Sequence, residues 1–294
     1  MPMSPFRLPD GRSLDLCTSG PEDGTPFVWF HGTPGAYLPS PELERAVHAH
    51  GFRWVSWSRP GYGDSTRQPG RTVADVVDDA RAVLAGLGAT RCVVGGRSGG
   101  GPHALACAAL LAEAAAVVVL AGVAPYEAEG LDFLAGQGQD NIDEFGAALE
   151  GEEALRRWMA PQAEALAAVT PEQIVGELDS LLPDVDRAVL TGARGQELAA
   201  AFHEAVRTGI DGWVDDDLAF TRPWGFDLAA IRTPVSLWQG SADLMVPFAH
   251  GRWLAERVPG AEAHLVDGEG HMSIAHSEED TARILDTLRA ALPA

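Results

Sequence analysis

Arg91-Cys92-Val93-Val94-Gly95-Gly96-Arg97-Ser98-Gly99-Gly100-Gly101-Pro102-His103-Ala104-Leu105 is the stretch on which the reading turns. Arg91 to Gly95 has the apolar, β-branched character of a buried strand, and Gly101 to Ala114 reads as an alanine-rich helix. Between them, Gly96-Arg97-Ser98-Gly99-Gly100 sets one serine in a strand-to-helix turn. Flanking residues there must be nearly free of side chains for the chain to approach itself. The turn lifts the hydroxyl above the carboxyl edge of the sheet, where open α/β folds bind ligands. It also puts Ser98 and the Gly99 amide at a helix N-terminus, whose N–H groups favour developing negative charge. The pentapeptide alone is weak in a chain with 33 glycines; the strand–turn–helix context gives it weight. Gly99, Gly101 and Ala104 also fit a G-x-G-x-x-A dinucleotide fingerprint. That motif belongs on the first strand–helix turn, however, and here at least two such units come earlier. The next strand also ends in Ala121-Gly122, with no acid to hold a ribose.

Working outward, Phe27 to Phe30 and Phe52 to Trp57 are apolar strand runs. Leu43 to His50 reads as a helix, and so does the stretch capped by Thr72 with apolar residues at helical spacing to Leu87. Ala116 to Ala121 is a further β-branched strand. Strands apolar on both faces and separated by helices predict a parallel sheet with helices on both sides. From about Pro125 to Trp224 no strand is evident. The segment is rich in Ala, Glu and Leu, with helix starts at Thr170-Pro171-Glu172 and Pro183-Asp184. Alternation resumes with Val235 to Gln239, a helix from Pro247 to Val258, the strand Ala263 to Val266 and a last helix after Ser277. The expected organisation is a split α/β core, residues 1–124 and 225–294, interrupted by an all-helical cap over residues 125–224.

The 294 residues carry a formal net charge of -21, and all basic side chains are arginine. So acidic a surface repels nucleic acid and anionic membranes, and neither is an expected partner. Hydrophobic residues at 46% and charged residues at 21% fit a folded globular protein rather than disorder. Three cysteines without paired spacing imply neither a disulfide framework nor a zinc site, and Cys92 and Cys107 read as small core residues. Met1-Pro2-Met3-Ser4-Pro5 lacks the basic-then-apolar pattern of a leader, and no apolar run is long enough to span a bilayer, so a cytoplasmic protein is expected. A small-molecule substrate is the expected partner; no metal or cofactor is implied, and nothing indicates a homo-oligomer.

A serine hydroxyl is a poor nucleophile until a neutral imidazole takes its proton, and that ring needs a carboxylate on its other nitrogen. Among nine histidines, His271 stands in Asp267-Gly268-Glu269-Gly270-His271, a Gly-rich loop just after the last strand. His103 follows Ser98 on the helix, with its ring expected to point away; His264 lies inside a strand. His48, His50, His203, His250 and His276 read as helix-surface residues. Asp243, in Gly240-Ser241-Ala242-Asp243 after the Val235 strand, is the expected acid, with Glu127 in reserve. Asp215, Asp216 and Asp217 read as a solvated run. His31-Gly32-Thr33-Pro34-Gly35 forms a turn after the Phe27 strand that can aim the Thr33 N–H, together with that of Gly99, at an oxyanion over Ser98.

Taken together, His31-Gly32-Thr33-Pro34-Gly35, Arg59-Pro60-Gly61-Tyr62-Gly63-Asp64-Ser65, the turn at Ser98, Gly240-Ser241-Ala242-Asp243 and Gly270-His271 resemble the α/β-hydrolase superfamily, in its order and over nearly the whole chain. The resemblance implies an eight-stranded, mostly parallel sheet with the cap inserted after the sixth strand. Relatives that process haloalkanes or epoxides carry Asp where this chain has Ser98. Proline iminopeptidases carry His-Gly-Gly-Pro-Gly and a Trp after the serine, where this chain has Thr33 and Gly99. The activity implied is acyl transfer by Ser98, His271 and Asp243 on carboxylic esters or lactones with apolar or aromatic groups. The same triad serves amide, thioester and carbon–carbon bond cleavage, and some members of the fold bind ligands with little turnover. Phe133, Phe145, Trp158, Met159, Phe202, Trp213 and Trp224 are candidates either to line a pocket or to pack the cap.

Overall fold

The computed structural model describes residues 3–292; Met1 and Pro2, at the head of the stretch read for a leader, lie outside the described residues. Eight strands form one sheet: β1 (Met3–Arg7), β2 (Ser13–Ser19), β3 (Thr25–Phe30), β4 (Phe52–Trp57), β5 (Cys92–Arg97), β6 (Ala114–Leu120), β7 (Val235–Gly240) and β8 (Glu262–Val266). Their spatial order is β1-β2-β4-β3-β5-β6-β7-β8. The β1/β2 and β2/β4 pairs are antiparallel, and every other pair is parallel. The sheet is therefore the mostly parallel, eight-stranded one implied by the resemblance.

On one face, α2 (Val76–Gly86), α3 (Gly100–Leu110) and α10 (Phe248–Arg257) bury Phe30, Val94, Val117 and Leu237. On the other, α1 (Pro41–Ala49) and α11 (Glu278–Ala290) cover Phe27, Trp54, Val93, Val118 and Leu120. Both faces are covered, which is why these strands read as continuous apolar runs instead of alternating ones. The chain moves outward from β3 to β4 on one side and to β5 on the other, so a crevice opens between the carboxyl ends of β3 and β5.

Between β6 and β7 run α4 (Gln139–Glu150), α5 (Glu152–Ala168), α6 (Ile174–Glu177), α7 (Asp184–Val189), α8 (Ala193–Val206) and α9 (Asp211–Phe220), with no strand among the described residues. They bury an apolar cluster of their own around Leu155, Met159, Ile174, Phe202 and Trp213, which also takes in Tyr62 from the core. Trp224 and Phe133 belong instead to the main core, where Phe133 packs edge-on against Phe145 and His250.

Candidate active site

The turn after β5 forms because glycines stand wherever the chain nearly touches itself. A Cβ at Gly96 would lie 2.3 Å from the Gly100 carbonyl oxygen, and one at Gly100 would lie 2.2 Å from that of Phe30. Ser98 itself has φ 55, a left-handed conformation that costs a residue with a side chain about 1 kcal/mol or more. Its N–H donates to the Leu120 carbonyl (2.9 Å), and its carbonyl accepts from Gly101 N–H (2.9 Å), so the strained residue is fixed at both ends.

His271 follows β8 in a loop of short turns. Its Nδ1 lies 2.8 Å from Asp243 Oδ2. Asp243 is buried at the end of β7 and is held from three further directions. The Met245 and Val246 amides donate to its Oδ1 (2.9 and 2.8 Å), and the Gln239 side chain donates to its Oδ2 (2.9 Å). With Nδ1 engaged by the carboxylate, Nε2 is the ring nitrogen left for chemistry. Glu127 is exposed on the loop after β6 and takes no part in this arrangement. Ser98 and His271 line one cavity; no hydrogen bond joins the hydroxyl to the ring in this structure.

A residue that sequence reasoning passed over holds the histidine loop. Asp186, on α7, is fully buried, and its carboxylate accepts the backbone N–H groups of His271 (2.7 Å), Met272 (2.9 Å) and Ser273 (2.9 Å). A Cβ at Gly270 would fall 2.4 Å from that carboxylate, which explains the glycine before the histidine. On the far side of the loop, Arg97 donates to the Ile274 carbonyl (3.0 Å). In the sequence, Asp186 had the signature of an ordinary helix-start aspartate.

The His31–Gly35 turn packs on the Ser98 turn. A Cβ at Gly99 would lie 2.3 Å from Thr33 Oγ1, and one at Gly32 would lie 3.5 Å from Ser98 Cβ, so the two expected oxyanion donors sit side by side. The Thr33 hydroxyl donates to Asp216 (2.7 Å). Arg59 donates to the Gly32 carbonyl (2.9 Å) and to both Asp216 oxygens, and Arg71 (2.6 Å) and the Tyr62 hydroxyl (2.9 Å) converge on the same carboxylate. Burial alone would raise the Asp216 carboxyl, but Arg59 and Arg71 outweigh it and hold it well below the ordinary carboxylate range. His31 is kept neutral by burial and by the Arg59 charge.

The Asp215–Asp217 run is therefore buried rather than solvated. Asp215 pairs with Arg67 (2.8 Å), Asp216 anchors the His31–Gly35 turn through Thr33 and Arg59, and Asp217 lines the cavity with Glu144. Burial and the Glu144 charge push the Asp217 carboxyl well above its usual range, and burial raises Glu144 too. His250 also departs from its surface reading. It is fully buried, with its ring nitrogens on Ala124 N–H (3.2 Å) and the Phe133 carbonyl (2.9 Å). His276 lies between the turn at His271 and α11, not on a helix.

The cavity over Ser98 measures about 920 Å³, within the range of small-molecule sites. Phe145, Trp158, Phe202 and Trp213 contribute to its walls, whereas Phe133, Met159 and Trp224 pack in the two apolar cores. Among the described residues no three His, Cys, Asp or Glu side chains converge on a metal-holding position, and no helix is long and apolar enough to cross a membrane.

Residues 27–285 match the sequence model of the alpha/beta hydrolase family. The chain belongs to that family. Solved structures similar to this alpha/beta hydrolase include an esterase from a Rhodococcus species (21% identity, 99% of this chain and 98% of that one, TM-score 0.65). Another is a thermophilic esterase from Thermogutta terrifontis (20% identity, 98% and 97%, TM-score 0.68). At these identities they establish a shared fold. A curated relative, the pimeloyl-[acyl-carrier protein] methyl ester esterase of Aromatoleum aromaticum, is 32% identical over 82 residues. That stretch spans 28% of this chain and 30% of the relative's length.

Proposed function

We propose that this alpha/beta hydrolase is a serine esterase that cleaves carboxylic esters or lactones with apolar or aromatic groups. One observation carries the reading: a serine in left-handed backbone shares a cavity with an imidazole whose far nitrogen is bound by a buried, fully hydrogen-bonded carboxylate. Ser98 Oγ attacks the ester carbonyl while His271 Nε2 takes its proton, and Asp243 stabilises the imidazolium that forms. The Thr33 and Gly99 amides hold the oxyanion, each contributing about 3 kcal/mol to the transition state. His271 returns the proton to the leaving alcohol. Water, deprotonated by the same ring, then releases the acid from Ser98. The helical segment above the cavity serves as a cap over the substrate, and the esterase-named relatives support the choice of ester over other acyl substrates.

The test is labelling with a fluorophosphonate and locating the adduct by peptide mapping. The adduct is expected on Ser98, and Ser98→Ala is expected to abolish both labelling and p-nitrophenyl butyrate hydrolysis. Full hydrolysis by the Ala variant refutes the assignment.

A further inference from the structure

Three arginines line the cavity, Arg45, Arg97 and Arg194; the acyl-transfer steps use none of them, and Arg97 directly precedes Ser98 in the chain. Successive residues of β5 alternate between faces, and Val93, two pairs before Arg97, packs with Leu120, Ile284 and Leu285 on the α1/α11 side. Arg97 opposes Leu120 of β6 in register and lies on that side. The cavity follows it there, continuing from Ser98 past the sheet edge between Trp29, Leu43, Ala46, Leu120, Ile284 and Leu285.

The surroundings of Arg97, which is half-buried, differ from those of the fully buried guanidiniums. Arg59 and Arg71 are buried and both end on Asp216. Arg97 makes one hydrogen bond, to the Ile274 carbonyl, and no ion pair among the described residues. The carboxylates that act on it electrostatically are Asp186 and Asp243. Both are already engaged, one by three backbone N–H groups and the other by His271. Arg194, which lines the same cavity, is paired with Glu42 (2.8 Å). Its charge repels Arg97, and the buried Nδ1 of His276, another lining residue, has no hydrogen-bond partner. Glu144 and Asp217 also line the cavity; Glu144 accepts from Trp213, and Asp217 Oδ2 has no hydrogen-bond partner. Arg97 is partly withdrawn from water, has no ion-pair partner among the described residues, and keeps most of its five N–H donors available.

We propose that Arg97 is the specificity residue for a substrate anion: the ester carries a free carboxylate, separated from the scissile carbonyl by an apolar chain that lies along the α1/α11 side. The inference rests on the serine-esterase reading for its chemistry, but the anion site stands on its own geometry. The net charge of -21 does not forbid it, because its field is screened beyond about 8 Å at physiological salt. At contact distance the guanidinium dominates.

The experiment compares monoethyl adipate with ethyl hexanoate, which have the same acyl length with and without the terminal charge, in wild type, Arg97→Met and Arg97→Lys. Proton release gives kcat and KM. Wild type is expected to favour the half-ester by about tenfold or more in kcat/KM, the scale of one charge-assisted hydrogen-bonded pair. Arg97→Met should erase that preference through KM, and Arg97→Lys should keep part of it. Any loosening of the histidine loop by the lost Ile274 contact affects both esters alike, so the ratio isolates the anion. Titration of Ser98→Ala protein with adipate, with and without Arg97→Met, reads the site without turnover. Hydrolysis of both esters with an unchanged ratio in Arg97→Met overturns the anion site and leaves the esterase reading intact. Adipate binding that depends on Arg97, with neither ester cleaved, upholds the site and overturns the esterase reading. Failure of both measurements overturns both.

Discussion

Replacing Asp186 with Ala tests whether α7 sets the position of the imidazole. The substitution leaves the N–H groups of His271, Met272 and Ser273, all now at 2.7 to 2.9 Å from the carboxylate, without an acceptor. A buried donor left unpaired costs about 1 kcal/mol at the low end, appropriate here because water can enter the vacated volume. Three such groups give about 3 kcal/mol. The loss is local, so it is expressed as loop conformations in which the ring leaves its place. That corresponds to a fall of about a hundredfold in kcat/KM. The fall should appear chiefly in kcat, since the walls contributed by α4, α5, α8 and α9 are untouched. Asp186→Asn keeps one acceptor oxygen but turns an NH₂ toward backbone donors, and it should lie between wild type and Ala. The assay is steady-state hydrolysis of p-nitrophenyl butyrate, paired with the downfield proton resonance of the His271–Asp243 hydrogen bond. That resonance should broaden or vanish in the Ala variant while the melting transition remains cooperative. An Ala variant within about threefold of wild type, with the resonance unchanged, refutes the reasoning.

Asp243→Asn should lower kcat by about 10³ to 10⁴ while leaving KM nearly constant, because an amide stabilises the wrong tautomer of His271; steady-state kinetics check this. Asp216→Ala strands two buried guanidiniums and should cost about 3–5 kcal/mol or more, read from urea unfolding, with Asp216→Asn less severe. His103 is fully buried, and burial lowers its pKa from 6.5 to about 4. It stays neutral in the fold while the unfolded chain takes up a proton, so its contribution is intact above pH 6.5 and is lost as the pH falls toward 4. Between pH 7 and pH 5 wild type should lose about 2 kcal/mol more than His103→Gln, measured by urea midpoints at both values.

Much of the architecture was written locally. The Val-rich strands, the glycines about Ser98 and the loop at His271 each declare themselves within a few residues, and their order along the chain supplies the rest. β1 and β2 were not read directly, since short strands at a sheet edge have no helix between them to mark the alternation. What the chain concealed lay in pairings remote along it. Asp215-Asp216-Asp217 has the composition of a surface run, and only the arrival of Arg59, 157 residues away, and Arg71, 145 residues away, makes burial of Asp216 tolerable. Asp186 reaches the histidine loop across 85 residues or more. His250 is disguised in the same way, because its acceptor and donor at Phe133 and Ala124 come from the loop after β6.

The placement of Asp186 and Asp216 has a consequence for rebuilding the molecule. Splicing the chain directly from Ala124 to Trp224 would remove both carboxylates at once, leaving Arg59 and Arg71 stranded in the interior and the stretch bearing His271 with open amides. A miniature made that way should fail to assemble, whereas a chimera that takes its helices from another source could succeed if it supplies an acid at each of those two points.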